Sequence, residues 1–493
     1  MGKFTFDGQP KLRLLSDEQI KLIHEKALYI LETAGVRFES DEALKILKDH
    51  GADVDFENKV VKFKAEMVLD AIKKAPEGVK LYNREGDLAA DLSGNNIHFD
   101  PVSAPIKILE SDGKTSRQSL AQDLANISRV NDTLGNTAMQ SSSCVLYDVP
   151  KLIGDSYRTY IMLKNSPKAI ITGGFSVHGV PYMRDMLAAV VGGPDRLREK
   201  PVAIFDICPS PPLKWTHISS QNIIDCARNG LPMETVSMPM PGAATPATLA
   251  GSIVVHTAET LSGVVLAQAV AAGTPVIYGG APVHFDMRTG TTPLSAIEAT
   301  MIGASYAQMG KYYGMPTHTY ACLSDSMVID TQAGLETSMS GIVAQLAGIN
   351  VISGVGGLEF VSTISLEKMV IDNEICGMAK RLDRGIDTSE EALAVDLIRD
   401  LGPGGDYLST DHTFKWFKKE PYIPSAIIER RDHNNWENDG AKNAFDRAQE
   451  KVREILASHQ PEPLDKERAD KLDRVTVKIM EELGIDSLPL GPR

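Results

Sequence analysis

Apolar residues recur at Ile20, Ile23, Ala27 and Ile30 in SDEQIKLIHEKALYILETAGV, the spacing of one helix face. Ser16 and Gln19 precede that face as a Ser-x-x-Gln capping box, and Gly35 supplies the stop. The same grammar returns in SDEALKILKDHGADVD and again in KAEMVLDAIKKAPEG. Three amphipathic helices with short strand-like links such as KVVKF are therefore predicted near the start of the chain.

The pattern changes near residue 95. Short apolar or β-branched runs now alternate with long helical ones. The runs are NIHFDP (96–101), TAMQSSSCV (137–145), KAIITGGF (168–175), PVAIFDIC (201–208), PMETVSMP (232–239), PVIYGGAP (275–282), MPTHTYAC (315–322) and INVISGVGG (349–357). Helical segments are predicted at 118–131, 150–165, 180–191, 217–229, 248–272, 294–313, 330–347 and 366–384. Alternating β-α units imply a parallel sheet with helical crossovers. Eight of them is the number that closes a TIM (β/α)8 barrel, and strand count and length favour it over a doubly wound open sheet. Residues 386–493 return to charged amphipathic helices after the linker-like KEPYIPS. The last helix is too short for a coiled coil and is expected to pack on the barrel or on another subunit. The expected organisation is an α/β chain: an N-terminal helical segment at 1–90, a TIM-barrel catalytic domain at 91–385 and a C-terminal helical extension at 386–493.

Composition narrows the partners. The 493-residue chain carries a formal charge of −14, which argues against nucleic acid, whose phosphates need a basic surface. The apolar stretch 261–282 is broken by Gly, Pro, Ser and Gln and reads as buried helix plus strand, so no membrane is expected. MGKFTFDGQPKLRLL has no apolar core for a signal peptide, and Phe6 stands where a myristoylation motif needs Ser or Thr. Five scattered cysteines point to a reducing cytoplasm.

In a TIM barrel the chemistry sits where strands end. Those ends offer carboxylates at Asp100, Asp206, Asp325 and Glu359. They also offer aromatic side chains at Phe99, Phe175, Phe205, Tyr278, Tyr320 and Phe360. Ser353, His284 and His318 complete the set, and strand alternation should turn about half of it into the wall. Carboxylates with aromatic faces suit a cation, above all a quaternary ammonium that donates no ordinary hydrogen bond. Asp325 could equally cap the next helix. Asp100 precedes Pro101 and a long loop, which favours function. There is no GxxxxGK[ST], GxGxxG, CxxC or HExxH, and no lysine near a strand end after the first, which weakens Schiff-base chemistry. ISGVGGLEF has no helix directly behind it, so it reads as a glycine turn and not a phosphate loop. Long Gly/Pro/Ser-rich loops follow the strands and imply a wide mouth that something bulky must enter.

FDICPSPPLKW, SMPMPGAATPATLAG, YGGAPVHFDMRTGTT, LSDSMVIDTQAGLE and SLEKMVIDNEICGMA resemble the trimethylamine methyltransferase superfamily, over nearly the whole chain. Founding members carry pyrrolysine. This chain has only the twenty ordinary residues and is similar to the branch that demethylates quaternary amines such as glycine betaine. Many relatives have Ser-Asp-Ala-Lys where this chain has Ser324-Asp325-Ser326-Met327, so Met327 departs from the pattern. The resemblance implies transfer of a methyl group to cob(I)alamin on a separate corrinoid protein, with no tightly bound cofactor and no metal. Asp100, Asp325 and Tyr320 would then be catalytic. Phe99, Phe175, Asp206, Tyr278, His284, His318, Ser353, Glu359 and Phe360 would bind substrate. A betaine carboxylate would look to His284, Arg288 or His318. The helical ends make a homo-oligomer plausible. Two alternatives stay open: a zinc enzyme using Cys144, Cys208 and Cys322, and a barrel that binds a betaine without turnover.

Overall fold

A computed structural model describes residues 11–492. The reading of residues 1–10 as free of a leader or lipid signal lies outside them. The strands fall where the pattern placed them: β1 (His98–Pro101), β2 (Met139–Ser141), β3 (Ala169–Gly173), β4 (Ala203–Ile207), β5 (Met233–Ser237), β6 (Val276–Gly280), β7 (His318–Tyr320) and β8 (Val351–Val355). All neighbouring pairs are parallel. The β2 to β6 strands form one sheet in chain order, and β7, β8 and β1 form a second. Single parallel bridges, Phe99 to Thr137 and Tyr278 to Thr317, join the sheets at their two seams.

Each strand is followed by a helix. The longest, Leu249–Val270, begins at Thr248, whose hydroxyl accepts the Gly251 amide. By length and composition alone it could cross a membrane, but it is largely buried among other helices. Pleating sorts the strand residues onto two faces. Ile170, Phe205 and Ile352 join the buried cluster shared with the helices. Met139, Ile171, Ile204, Ile277 and Val351 meet one another in a separate cluster on the inner, concave face.

A hairpin of Lys80–Tyr82 and Leu88–Asp91 closes that inner cluster from below through Val79, Leu81, Ala90 and Leu92. The sequence pattern did not anticipate this hairpin. Its strands are too short to show periodicity, and their burial comes from the distant strand starts they cover. The N-terminal helices Asp17–Thr33, Asp41–Asp49 and Ala65–Lys74 occur as expected. Their linking strands form a sheet that takes Lys214–Trp215 from the loop after β4. Trp215 is fully buried and its indole N–H donates to Ser262 at 2.8 Å. At the other end of the chain, Lys466–Leu483 packs on the helix Gly179–Val191, and Ala444–Ser458 packs on Leu366–Asp383. Tyr160 donates to Asp473 at 2.9 Å, fixing that last helix.

The β7–β8 junction is the tightest point near the strand ends. A Cβ built on Gly354 would lie 1.9 Å from the Ala321 carbonyl oxygen. Backbone cannot swing aside as a side chain can. Gly354→Ala is expected to lower stability by about 3 kcal/mol, the upper part of the usual range for overpacking, measured as the shift in a urea unfolding curve.

Candidate active site

Two rows of inner-face side chains converge at the strand ends. On one side Tyr320, Ser353 and Asp100 stand in register across β7, β8 and β1. On the other, Asp206 of β4 is paired with Glu234 of β5. Contacts cross between them. The Tyr320 hydroxyl reaches Asp206 at 3.5 Å, and His318 Nδ1 lies 3.7 Å from Glu234. Gly173 and Gly279 keep the space between open. A Cβ on Gly279 would sit 3.0 Å from His318 Nδ1, and one on Gly173 would sit 3.1 Å from the Asp206 carbonyl oxygen.

A relay fixes His318. Ser353 Oγ donates to Asp100 Oδ1 at 2.8 Å, which leaves it to accept from His318 Nε2–H at 3.0 Å. Burial holds the imidazole neutral, with its pKa pushed down to about 3. That tautomer leaves Nδ1 as a lone pair facing Glu234. Asp100 and Glu234 are fully buried and Asp206 is half-buried, and each has at least one carboxyl oxygen without a protein donor: Asp100 Oδ2, Asp206 Oδ1 and both oxygens of Glu234. No Lys or Arg among the described residues lies within ion-pair distance of any of the three.

Desolvation raises all three carboxyl groups above their usual range. Asp206 and Glu234 are close enough to repel when both are charged, which lifts Glu234 further. Tyr320 and Arg158 favour the charged form of Asp206 and hold it to about 6. The two acids titrate as a pair, in which burial and mutual repulsion disfavour the doubly charged state and Asp206 is the member more readily ionised. The result is a largely buried acidic cluster with an aromatic ring at its edge.

Several expected site residues stand elsewhere. Phe99 and Tyr278 project into the helical layer, and the Tyr278 hydroxyl donates to Thr257 at 3.0 Å. The pleat puts them there, one position out of phase with Asp100 and Gly279. Asp325 accepts the amides of Leu294 (3.0 Å) and Ser295 (2.8 Å), tying the loop after β6 to the turn after β7. Its own helix is capped by Asp330. Glu359 is held by Lys107 at 2.8 Å and by Thr363. Glu359, Phe360 and Val361 all take left-handed φ angles (50°, 55° and 68°), so the chain turns sharply and brings Phe360 against the rim near Tyr320. Phe175 lies at the rim and is mostly exposed. His284 sits partly buried in the loop after β6, with Nδ1 unpartnered. Arg288 is exposed and paired with Asp286 at 2.8 Å. Asp206, His318, Tyr320, Ser353 and Asp100 are brought together.

The three strand-end cysteines do not converge. Cys322 lies 3.9 Å from Cys376, and Cys144 is buried beneath the loop after β2. Among the described residues no group of three or more His, Cys, Asp or Glu side chains is placed to hold a metal ion. Glu234 and Arg158 were missed. Glu234 lies inside METVS, where a lone acid among apolar residues was the available signal; Arg158 is mid-helix and gave none.

The motifs that carried the resemblance mostly brace this site. Lys368 and Asp372 form a fully buried ion pair at 2.6 Å, and Asp372 accepts the Gly356 amide behind β8. The family description "Trimethylamine methyltransferase (MTTB)" matches residues 3–484. This chain belongs to the trimethylamine methyltransferase family. As a member, it is a methyltransferase. A trimethylamine methyltransferase of Desulfitobacterium hafniense is 34% identical over 470 residues, covering 95% of this chain and 94% of that one. Another, from Methanosarcina thermophila, is 34% identical over 460 residues, covering 92% and 95%. A glycine betaine methyltransferase of Desulfitobacterium hafniense is 31% identical over 477 residues, covering 96% and 98%. The crystal structure of the Methanosarcina barkeri monomethylamine methyltransferase shares the fold at a TM-score of 0.54 and 14% identity, covering 98% of this chain and 90% of that chain.

The charge state has a pH signature. Only ionised Asp206 attracts a cation, so affinity for a quaternary ammonium should rise as pH climbs through about 6 and fade below it. Asp206→Asn should flatten that profile and weaken binding about tenfold or more at neutral pH, read by calorimetric titration.

Proposed function

We propose that this chain moves a methyl group from a quaternary ammonium compound, with glycine betaine giving dimethylglycine, to cob(I)alamin carried by a corrinoid protein. The observation that carries the reading is the cluster of Asp100, Asp206 and Glu234 around Tyr320. Three enclosed acids with unpartnered oxygens lack a protein cation in contact. A substrate cation completes such a pocket. The glycine betaine methyltransferase among the relatives supports the choice of substrate, as does the absence of pyrrolysine.

The chemistry asks little of the protein in proton transfer. A quaternary nitrogen leaves as a neutral tertiary amine, so no general acid is needed. Co(I) supplies the nucleophile, and the chain's residues bind, dry and aim the methyl donor. Asp206 supplies the single negative charge, and the Tyr320 ring offers a face for the methyl groups, worth about 0.5–2 kcal/mol. Burial disfavours the charged forms of Glu234 and Asp100, which keeps the net attraction modest. That matters, because the positive charge disappears during transfer and an over-strong cage would favour the ground state. His318, fixed through Ser353, holds the floor. We read the two sheets as one closed eight-stranded barrel with this pocket at its mouth. Rim side chains that are apolar and exposed (Phe175, Met238, Met287 and Met327) offer a surface for a bulky acceptor.

The test is a visible-spectrum assay of cob(I)alamin methylation. Glycine betaine, proline betaine, carnitine and γ-butyrobetaine are compared with trimethylamine. Methylcobalamin should form with a betaine and not with trimethylamine. Binding of a betaine with no methyl transfer to free or protein-bound cob(I)alamin would instead mark a binding protein.

A further inference from the structure

Arg158 stands on the helix Gly154–Asn165, directly after the strand-end loop of β2. It is 2% exposed, yet no carboxylate among the described residues lies within ion-pair distance of it. Its guanidinium makes one weak hydrogen bond, from Nη1 to the Ser142 carbonyl at 3.4 Å. Nη2 is buried with no partner. Asp155, the acid next to it in the chain, is already engaged. It accepts from the Ser156 amide at 2.8 Å, the Phe175 amide at 2.9 Å and the Ser176 hydroxyl at 3.2 Å. Those bonds hold the loop after β3 so that the Phe175 ring covers the guanidinium, 4.8 Å from its carbon. Ser142 directly follows β2 and Phe175 follows β3 by two residues, so these contacts place the guanidinium at the strand ends, where its charge acts on Asp206 and Tyr320.

A buried, unpaired guanidinium is costly, and its planar fork matches a carboxylate better than any other group. The pocket thus has two poles: an acidic, aromatic one at Asp206 and Tyr320, and a cationic one at Arg158 roofed by Phe175. We propose that Arg158 is the carboxylate-recognising residue of this site, which makes the substrate a zwitterion whose carboxylate lies a short chain away from its quaternary nitrogen. This rests on the methyl-transfer reading above and adds to it the group that tells a betaine from a simple alkylammonium. Two of the three sequence candidates fit less well, and the third, His284, lies in the loop after β6. Arg288 is exposed and paired, and His318 Nε2 is committed to Ser353.

The rival role for Arg158 is structural, as a fixed counter-charge for Asp206. Binding and transfer measured side by side separate the two. Glycine betaine, choline and tetramethylammonium share the cationic head and differ in the other pole. Wild-type protein should bind glycine betaine at least about tenfold more tightly than the other two, by calorimetry. That comparison needs no variant. In Arg158→Lys and Arg158→Gln the loss for glycine betaine should exceed the loss for tetramethylammonium by at least about tenfold, appearing in KM rather than kcat. Equal losses for both ligands, or no wild-type preference for the carboxylate, would overturn the assignment. Arg158-dependent betaine binding without cob(I)alamin methylation would keep this assignment and remove the proposed reaction. Methylation from tetramethylammonium or choline as good as from the betaine would do the reverse.

Discussion

Two carboxyl groups side by side on an enclosed face, with no protein cation touching them, cannot both be ionised. Asp206 and Glu234 are such a pair, and the surrounding structure decides which keeps the charge. Tyr320 reaches Asp206 from the opposite row, and Arg158 lends its field from the rim. Glu234 has Asp206 on one side and the lone-pair side of a neutral imidazole on the other, with no group that favours its charged form. The asymmetry comes from residues on four different strands and helices. The fold's contribution to chemistry is therefore to hold several elements in fixed register, so that one negative charge is expressed at one place.

That register also explains what the sequence could and could not reveal. Period-2 alternation means that knowing one inward residue on a strand fixes the rest. Asp100, Asp206, Tyr320 and Ser353 were identified by their position at strand ends and His318 as a partner for a betaine carboxylate, and the structure brings them together. Phe99 and Tyr278 were named on the same grounds but sit one residue out of phase. Parity within the strand was unavailable from strands whose flanks are apolar on both faces, because a doubly covered parallel sheet buries both. Glu234 suffered the converse error. It lies in the middle of its strand, below the level where chemistry was sought, yet a long inward side chain beside Asp206 reaches the same pocket.

The fold itself was more legible than the site. Strong helical periodicity and Gly/Pro-punctuated runs place eight strands and their following helices to within a few residues. What escaped was non-local. The hairpin at 80–91 owes its burial to strand starts far along the chain, and Lys214–Trp215 leaves its own loop to join a sheet made by residues 36–62. The N-terminal segment is therefore stitched to the core by a strand and by Trp215, and the boundary that composition suggested near residue 90 is crossed by backbone hydrogen bonding. Asp325 belongs to the same class. A carboxylate at a β-α turn reads as a cap or a catalyst, but the amides it accepts come from a loop some thirty residues earlier, which no local pattern encodes.

The motifs that identify the family and the residues that would select a substrate are largely different sets. Lys368 and Asp372 brace the loop behind β8, Trp215 anchors the loop after β4, and Asp325 joins two further loops. These are buried partnerships in which losing one member strands the other, so they tolerate little variation. Among the charged side chains near the strand ends, Asp100, Asp206, Glu234 and Arg158 keep buried atoms without a protein partner. An unpartnered buried group destabilises the empty fold and is relieved only by what binds. At the strand ends, then, the satisfied groups belong to the scaffold and these four stay open to a ligand. They are of both signs, acidic at one pole and basic at the other, a charge pattern that the proposed zwitterionic substrate would complete and a simple amine would not.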